Sequence, residues 1–143
     1  MTLQIDLRDY ESKLGTPSSQ KILNILICWK ILPIKEIIEL SGLSDSQVYL
    51  TIKNLETLYI VKQESRGIYS LTENQYTLNL EKAYTSILNR MIGQRLHYLS
   101  KNYEKMDLDD YVDELVELNR KWGPLVRKNF QSQYSRLAGH LIG

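Results

Sequence analysis

Apolar residues recur at helical spacing in three short runs within the first half of the chain. The first run follows Thr16-Pro17, where a hydroxyl that can cap a helix precedes a proline suited to the first helical position. It ends near Leu32-Pro33, because the residue before a proline is disfavoured in a helix. The second run extends from Ile34 to Ser41 and stops at Gly42, since glycine adopts the left-handed backbone of a helix end without strain. The pattern therefore predicts two helices, of which the second is short.

The third run predicts the helix with the clearest start. Ser44-Asp45-Ser46-Gln47 supplies a hydroxyl and, three residues after it, the amide of a capping box. The helix is expected to continue to about Tyr59. Its inward face consists of four apolar residues at helical spacing: Val48, Ile52, Leu55 and Leu58.

Two short strands are predicted after the third helix. Ile60 to Glu64 and Ile68 to Leu71 are separated by Ser65-Arg66-Gly67, a turn sequence, so the pair is expected to form a hairpin. At the other end of this region, residues 1–14 alternate weakly and predict a short strand or a loose arm. The first 77 residues are thus expected to form one domain of helices with a small hairpin.

The second half of the chain has a helical pattern throughout. One helix is predicted from roughly Leu78 to Lys105, another from about Asp107 to Trp122, and a last one from Pro124 to about Ile142. Each carries an apolar stripe, so the three helices either close a bundle or bury one another across a twofold axis. We favour the dimer, because a long helix leaving a small domain has little of its own chain to cover it. Residues 78–143 are therefore predicted to be a C-terminal helical dimerisation region of a mainly α-helical protein.

Composition and charge narrow the class of protein. The chain has 143 residues, of which 43% are apolar and 24% are charged, as in ordinary globular proteins. A single cysteine excludes an intramolecular disulfide, and the absence of a long apolar run or an export signal predicts a cytoplasmic protein without membrane contact. The net charge of +1 indicates no partner, but the signs separate locally. Six acidic and no basic residues lie from Asp107 to Glu117, and five basic and no acidic residues lie from Asn119 to the end.

At three places the sequence resembles the winged helix-turn-helix superfamily, particularly MarR-like and PadR-like transcription regulators. These are Ile37 to Ser44, the third helix with its exit at Tyr59-Ile60-Val61, and Arg66 to Thr72 as the wing. The resemblance implies a homodimer on a near-palindromic operator of double-stranded DNA, with the third helix in the major groove. Only about 15 residues precede the winged part, and its hairpin is shorter than many family wings. The helices after the wing are more similar to the PadR arrangement, in which they dimerise.

The candidate DNA-binding residues lie on the outward face of the third helix and around it. Gln and Asn pair with adenine, Thr contacts the thymine methyl group, Lys reaches guanine or phosphate, and arginine at a wing tip suits the minor groove or the backbone. A serine at a helix start suits phosphate. The alternative for two of them, Tyr49 and Leu50, is packing against the wing or another helix. The full predicted set is Ser44, Ser46, Gln47, Tyr49, Leu50, Thr51, Lys53, Asn54, Lys62 and Arg66.

Other chemistry finds little support in the sequence. Asp109-Asp110-Tyr111-Val112-Asp113 resembles the magnesium motif of isoprenoid synthases, but that chemistry needs a second metal motif and a much larger helical fold. His97 and His140 have no neighbour at metal-ligand spacing, and Cys28 is expected to be a small core residue. We therefore predict no catalytic residue, metal or cofactor. Tyr and Trp of the C-terminal helices could line a small-molecule effector pocket, although core packing is the favoured interpretation.

Two functions follow from these observations. The first is sequence-specific DNA binding by a dimeric transcription regulator that acts by occupying its operator. The second is a protein-interaction or assembly module of a replication, partition or transcription complex. The second is favoured by the neutral charge of residues 17–77, since a DNA-binding domain usually carries a basic surface.

Overall fold

The computed structural model describes the backbone of residue 8 and residues 10–142, and the side chains of residues 8, 12–129 and 131. The chain is mainly helical and has one small antiparallel sheet, as predicted. The helices are α1 Pro17–Trp29, α2 Ile34–Ser41, α3 Asp45–Thr57, α4 Gln75–Asn102 and α5 Leu108–Ile142. The strands are β1 Ile31–Pro33, β2 Val61–Ser65 and β3 Ile68–Leu71.

The predicted helix caps of the first half form at Thr16, Gly42 and Ser44, whereas the first helix ends at Trp29, three residues before the predicted end near Leu32-Pro33. Thr16 Oγ1 accepts a hydrogen bond from the Ser19 amide at 3.3 Å, and Gly42 ends α2 with a φ of 70°. At the start of α3, Ser44 Oγ accepts from the Gln47 amide at 3.2 Å, and Gln47 Oε1 accepts from the Ser44 amide at 3.1 Å. The predicted capping box is confirmed, and it leaves α3 with a defined first turn.

The strand β1 was not predicted. The helix α1 ends at Trp29, where Lys30 has a φ of 74°, and the next three residues pair with β3 instead of continuing the helix. The sheet order is β1-β3-β2, so β1 lies at an edge, where the missing N–H of Pro33 costs no central hydrogen bond. A strand of three residues is too short to show an alternating pattern, which explains why the sequence did not reveal it.

Residues near the N-terminus differ from the expectation of a strand or an arm. Tyr10–Leu14 forms a π-helical segment, and the Leu14 side chain is buried against the first core. The rest of that prediction, residues 1–7 and residue 9, lies outside the described residues.

The contacts divide the chain into two compact units, Met1–Tyr84 and Thr85–Gly143, and the division falls inside α4. The first unit holds a core to which α1, α2, α3 and the sheet all contribute. In it Leu23, Ile37 and Leu55 are fully buried. This core positions α3 by one face only.

The second unit consists of most of α4, a 3₁₀ segment at Tyr103–Lys105, and α5. The side chains of Leu88, Ile92, Leu96 and Leu99 on α4 are buried, as is Leu125 on α5. The predicted break at Gly123-Pro124 is a kink rather than a gap between helices. Trp122 alone has non-helical angles, φ −124° and ψ 27°, because a proline disturbs the turn that precedes it. No described helix is long and apolar enough to cross a membrane.

Candidate functional site

The outward face of α3 is bare. Tyr49 is 54% exposed and Leu50 is 60% exposed, and Ser46 and Lys53 are also exposed. The opposite face holds the helix in the core, where Val48, Ile52 and Leu55 are at most 2% exposed. Because the apolar residues that anchor α3 all lie on the inner side, the outer side is presented on a rigid support.

Gln47 has a role that limits what its side chain can contact. Its Oε1 accepts from the Ser44 amide and also from Ser44 Oγ, at 3.1 and 3.2 Å. A bidentate contact with adenine needs both the oxygen and the NH₂ group of the amide. The predicted bidentate contact of Gln47 would therefore cost the capping box one of its two hydrogen bonds.

Thr51 does not lie on the outward face. It is 6% exposed, because it follows Val48 by one helical turn and precedes Leu55 by another, and both of those residues are in the core. The prediction that Thr51 belongs to the accessible set is wrong. Asn54, on the same side of the helix, is half-buried, and the other predicted residues of α3 are exposed.

The hairpin places one arginine at its tip. Arg66 is exposed in the two-residue turn between β2 and β3, where Gly67 has a φ of 75°. Arg66 makes no ion pair among the described residues. The tip therefore carries an unneutralised positive charge.

Lys62, the other predicted hairpin residue, is exposed but has an acidic neighbour. Its Nζ lies 3.3 Å from Glu64 Oε1, and that oxygen also accepts from Ser70 Oγ at 2.6 Å. The hydrogen bond from Ser70 and the ammonium group of Lys62 hold the pKa of the Glu64 carboxyl below its usual value. Glu64 therefore stays ionised and offsets part of the charge of Lys62.

The hairpin contains one buried tyrosine. Tyr69 on β3 is 9% exposed, and burial raises the pKa of its hydroxyl, with a further contribution from the negative charge of Glu56. Tyr49 of α3 is 54% exposed, so neither the wing nor another helix of the described chain covers it.

A groove beside the sheet was missed by sequence reasoning. It has a volume of about 520 Å³, and its lining includes the apolar side chains of Ile31 and Leu78. Glu64, Glu73 and Glu81 line it, against one basic residue, Lys30, which is paired with Glu81. The groove disfavours an anionic partner. Its lining comes from residues 30–81, so no local motif could have indicated it.

The acidic residues before and within the start of α5 have a structural role. Asp107 Oδ1 accepts from the Asp109 amide at 3.1 Å, and the acids of the first turn suit the positive end of the helix dipole. Across the described part of the chain, no group of three or more His, Cys, Asp or Glu residues is placed to hold a metal ion. Cys28 is buried and His97 is exposed, whereas the side chain of His140 lies outside the described residues.

The chain was compared with protein-family models, with curated proteins and with solved structures, and none of them matches it.

Proposed function

We propose that this chain is a winged helix-turn-helix protein that binds double-stranded DNA as a homodimer and regulates transcription by occupying its operator. The observation that carries the proposal is the bare outer face of α3 on a helix whose inner face is wholly in the core. The order α1, α2, tight turn, α3, hairpin supports it, since this order leaves the third helix exposed beside a projecting turn.

The dimensions of α3 suit the major groove of B-form DNA. A helix of 10–12 Å diameter with its side chains enters a groove about 12 Å wide, where base edges are readable. In this role Lys53 and Ser46 supply polar contacts, and Tyr49 and Leu50 supply apolar contacts to thymine methyl groups. Thr51 is not part of the interface, because it is buried.

Arg66 contacts the backbone or the minor groove from the hairpin tip. Its charge is unneutralised among the described residues, whereas Lys62 is partly offset by Glu64. Glu64 and Glu73 line the acidic groove and would repel phosphate, so we assign the exposed face of α3, and not the groove, to DNA. One domain therefore offers few basic side chains to phosphate. A homodimer offers twice as many, which strengthens the binding to DNA.

The test is fluorescence anisotropy with a random duplex and with a duplex selected from a random library, across a salt series. Each phosphate contact contributes about 0.9 to the slope of log affinity against log salt. We expect Arg66→Ala to weaken binding to both duplexes and to lower that slope by about 1. Lys53→Ala should cost about 1–3 kcal/mol on the selected duplex and less on the random one.

Lys101→Ala is the matched control, because Lys101 is exposed at the far end of α4 in the second unit. It removes the same charge without touching the proposed face, so its affinity should equal that of the wild type. Absence of salt-dependent binding to any duplex would overturn the proposal.

A second candidate function rests on Tyr49 and Leu50. Two adjacent large apolar side chains at 54% and 60% exposure suit a protein partner as well as DNA. In that case the chain is an interaction module of a replication, partition or transcription complex. Leu50→Lys distinguishes the two functions, since a lysine on this face abolishes an apolar protein contact but strengthens non-specific binding to DNA.

A further inference from the structure

The first half of α5 carries an apolar stripe that the described residues do not cover. Leu108, Val112 and Val116 are 71%, 46% and 61% exposed. Their spacing of four residues puts them on one face of the helix. The residues turned toward the rest of the second unit are others, such as Leu115 and Leu118, which are half-buried. The stripe is therefore surface left over after α5 has packed within its own unit.

Acidic residues accompany this stripe. Asp109 and Asp113 each follow a stripe residue by one position, so they lie along one edge of it. Both are exposed, and neither forms an ion pair within the part of the chain that the structure describes. By contrast, Glu114 is paired with Arg95 and Glu117 with Arg120. The edge of the stripe thus keeps negative charge that the unit itself does not neutralise.

The second half of α5 has the opposite charge. From Asn119 to the end the sequence has five basic residues and no acidic one. Arg127 and Lys128 are exposed, and neither forms an ion pair with a described residue. A rise of 1.5 Å per residue separates Asp113 from Arg127 by about 21 Å along the helix. The two halves of one α5 therefore cannot neutralise each other.

We infer that α5 pairs antiparallel with α5 of a second copy of this chain, about a twofold axis that crosses the exposed face of the helix at the level of residue 118. Asp109 and Arg127 are equally distant from residue 118 in sequence, so each acidic half lies at the level of the partner's basic half, which follows the kink at Trp122. In an antiparallel pair of identical helices, the same edge of each helix lies on the same side of the pair. Asp109 and Asp113 therefore lie on the side where the partner's Arg127 is expected. A parallel pairing would instead set acid against acid and base against base.

The stripe is covered in the same arrangement. Val116 lies beside the axis, and the methylene groups of the partner's basic side chains extend over Leu108 and Val112 while their charged ends reach the aspartates. One contact surface thus buries apolar area and pairs the charges, twice by symmetry. The role of this pairing on DNA rests on the proposed function, because the second copy brings the second α3. The pairing itself is measurable without DNA.

A charge swap with the full-length chain tests the inference by sedimentation velocity. The acid-swap variant is Asp109→Lys/Asp113→Lys, and the base-swap variant is Arg127→Glu/Lys128→Glu. The wild type should be a dimer that weakens with salt, and each variant alone should dissociate at least tenfold more readily. An equimolar mixture of the two variants should recover dimers, because both contacts of the mixed dimer are again acid against base.

Two controls separate the pairing from folding. Lys21→Glu/Lys82→Glu changes the same number of exposed charges in the first unit, away from α5, and should sediment like the wild type. Val116→Gln removes apolar surface without changing charge and should weaken the dimer severalfold, with unchanged circular dichroism. Recovery in the mixture also shows that both swap variants are folded.

Three results would overturn the inference: a wild type that stays monomeric at high micromolar concentration, swap variants that dimerise as well as the wild type, or a mixture without recovery. The DNA measurement has independent outcomes. A dimer that binds no duplex refutes the proposed function and leaves the pairing intact. A wild type that binds DNA as a dimer, while its swap variants still dimerise or their mixture fails to recover, refutes only the pairing. A wild type that binds DNA as a monomer refutes the pairing and the homodimer of the proposed function, but not DNA binding itself.

Discussion

The two units of this chain differ in how completely their apolar side chains are buried. In Met1–Tyr84, side chains such as Ile22, Leu23 and Leu55 are completely buried among helices and sheet. In Thr85–Gly143, Ile87 and Met91 are more than half exposed, although they lie in a regular helix. The first unit encloses a core of its own, since its elements surround a common centre, and it leaves Tyr49 and Leu50 exposed on one helix face. The second unit has too few layers to bury its apolar side chains as completely, and this difference is the physical basis for assigning it a partner.

The largest expected effect comes from a cavity in the first core. Leu55→Ala should lower the free energy of unfolding by about 2–5 kcal/mol, because Leu55 is fully buried and its loss leaves an unfilled space. The matched change in the second unit is Val116→Ala, which should cost about 0.5 kcal/mol or less in the monomer, since Val116 is 61% exposed. Urea denaturation at low protein concentration measures both. Equal losses would contradict the contrast between the units.

A smaller effect is expected at the start of α3. Ser44→Ala should destabilise the chain by about 1 kcal/mol, because the Ser44 hydroxyl accepts the Gln47 amide and no other group replaces it. Ser46→Ala two residues later is the control, since Ser46 caps no amide and should change the stability by less than about 0.5 kcal/mol. A Ser44→Ala chain as stable as the wild type would show that the helix needs no cap once its inner face is packed.

The smallest effect is a pH dependence at the hairpin. The pKa of Glu64 is lower in the folded state, so its ionised form contributes stability that is present above the unfolded pKa and is lost as pH falls through the folded pKa. Glu64→Gln should therefore be less stable than the wild type at neutral pH, and the two should converge in acid. Thermal unfolding between neutral pH and pH values below about 4 tests this, with Glu73→Gln as an exposed control on the same groove. A difference that does not change with pH would show that the carboxylate charge is not involved.

The elements that sequence patterns predicted are those determined by neighbours along the chain. The bounds of α2 and the caps at Thr16, Gly42 and Ser44 form as expected, because each depends on residues within four positions. The bounds of β3 also agree, since a two-residue turn joins it to β2. Thr51 shows where such reasoning fails. Thr51 is polar and was counted with the outer residues, but it lies one helical turn from both Val48 and Leu55, and the core that encloses them buries it as well.

The same distinction applies to the candidate site. The exposure of Tyr49, Leu50 and Lys53 was predicted, since it requires only that the apolar residues of α3 point inward. The burial of Tyr69 was not determined in advance, because it depends on how the hairpin packs on the rest of the first unit. The strand β1 and the acidic groove were absent from the predictions, since both exist only where distant segments meet.

The amino-acid order by itself determined the helices, their caps, the hairpin and the separation of charge along α5, because these depend on propensities and spacing over a few residues. Only the tertiary structure decided which side chains a distant element covers and which apolar ones it leaves exposed. Burial depends on elements that are far apart in sequence, and it left Leu108, Val112 and Val116 uncovered while it enclosed Thr51. Local structure therefore follows from residues that are neighbours in sequence. The exposed apolar surface that a partner could cover depends on how distant elements pack.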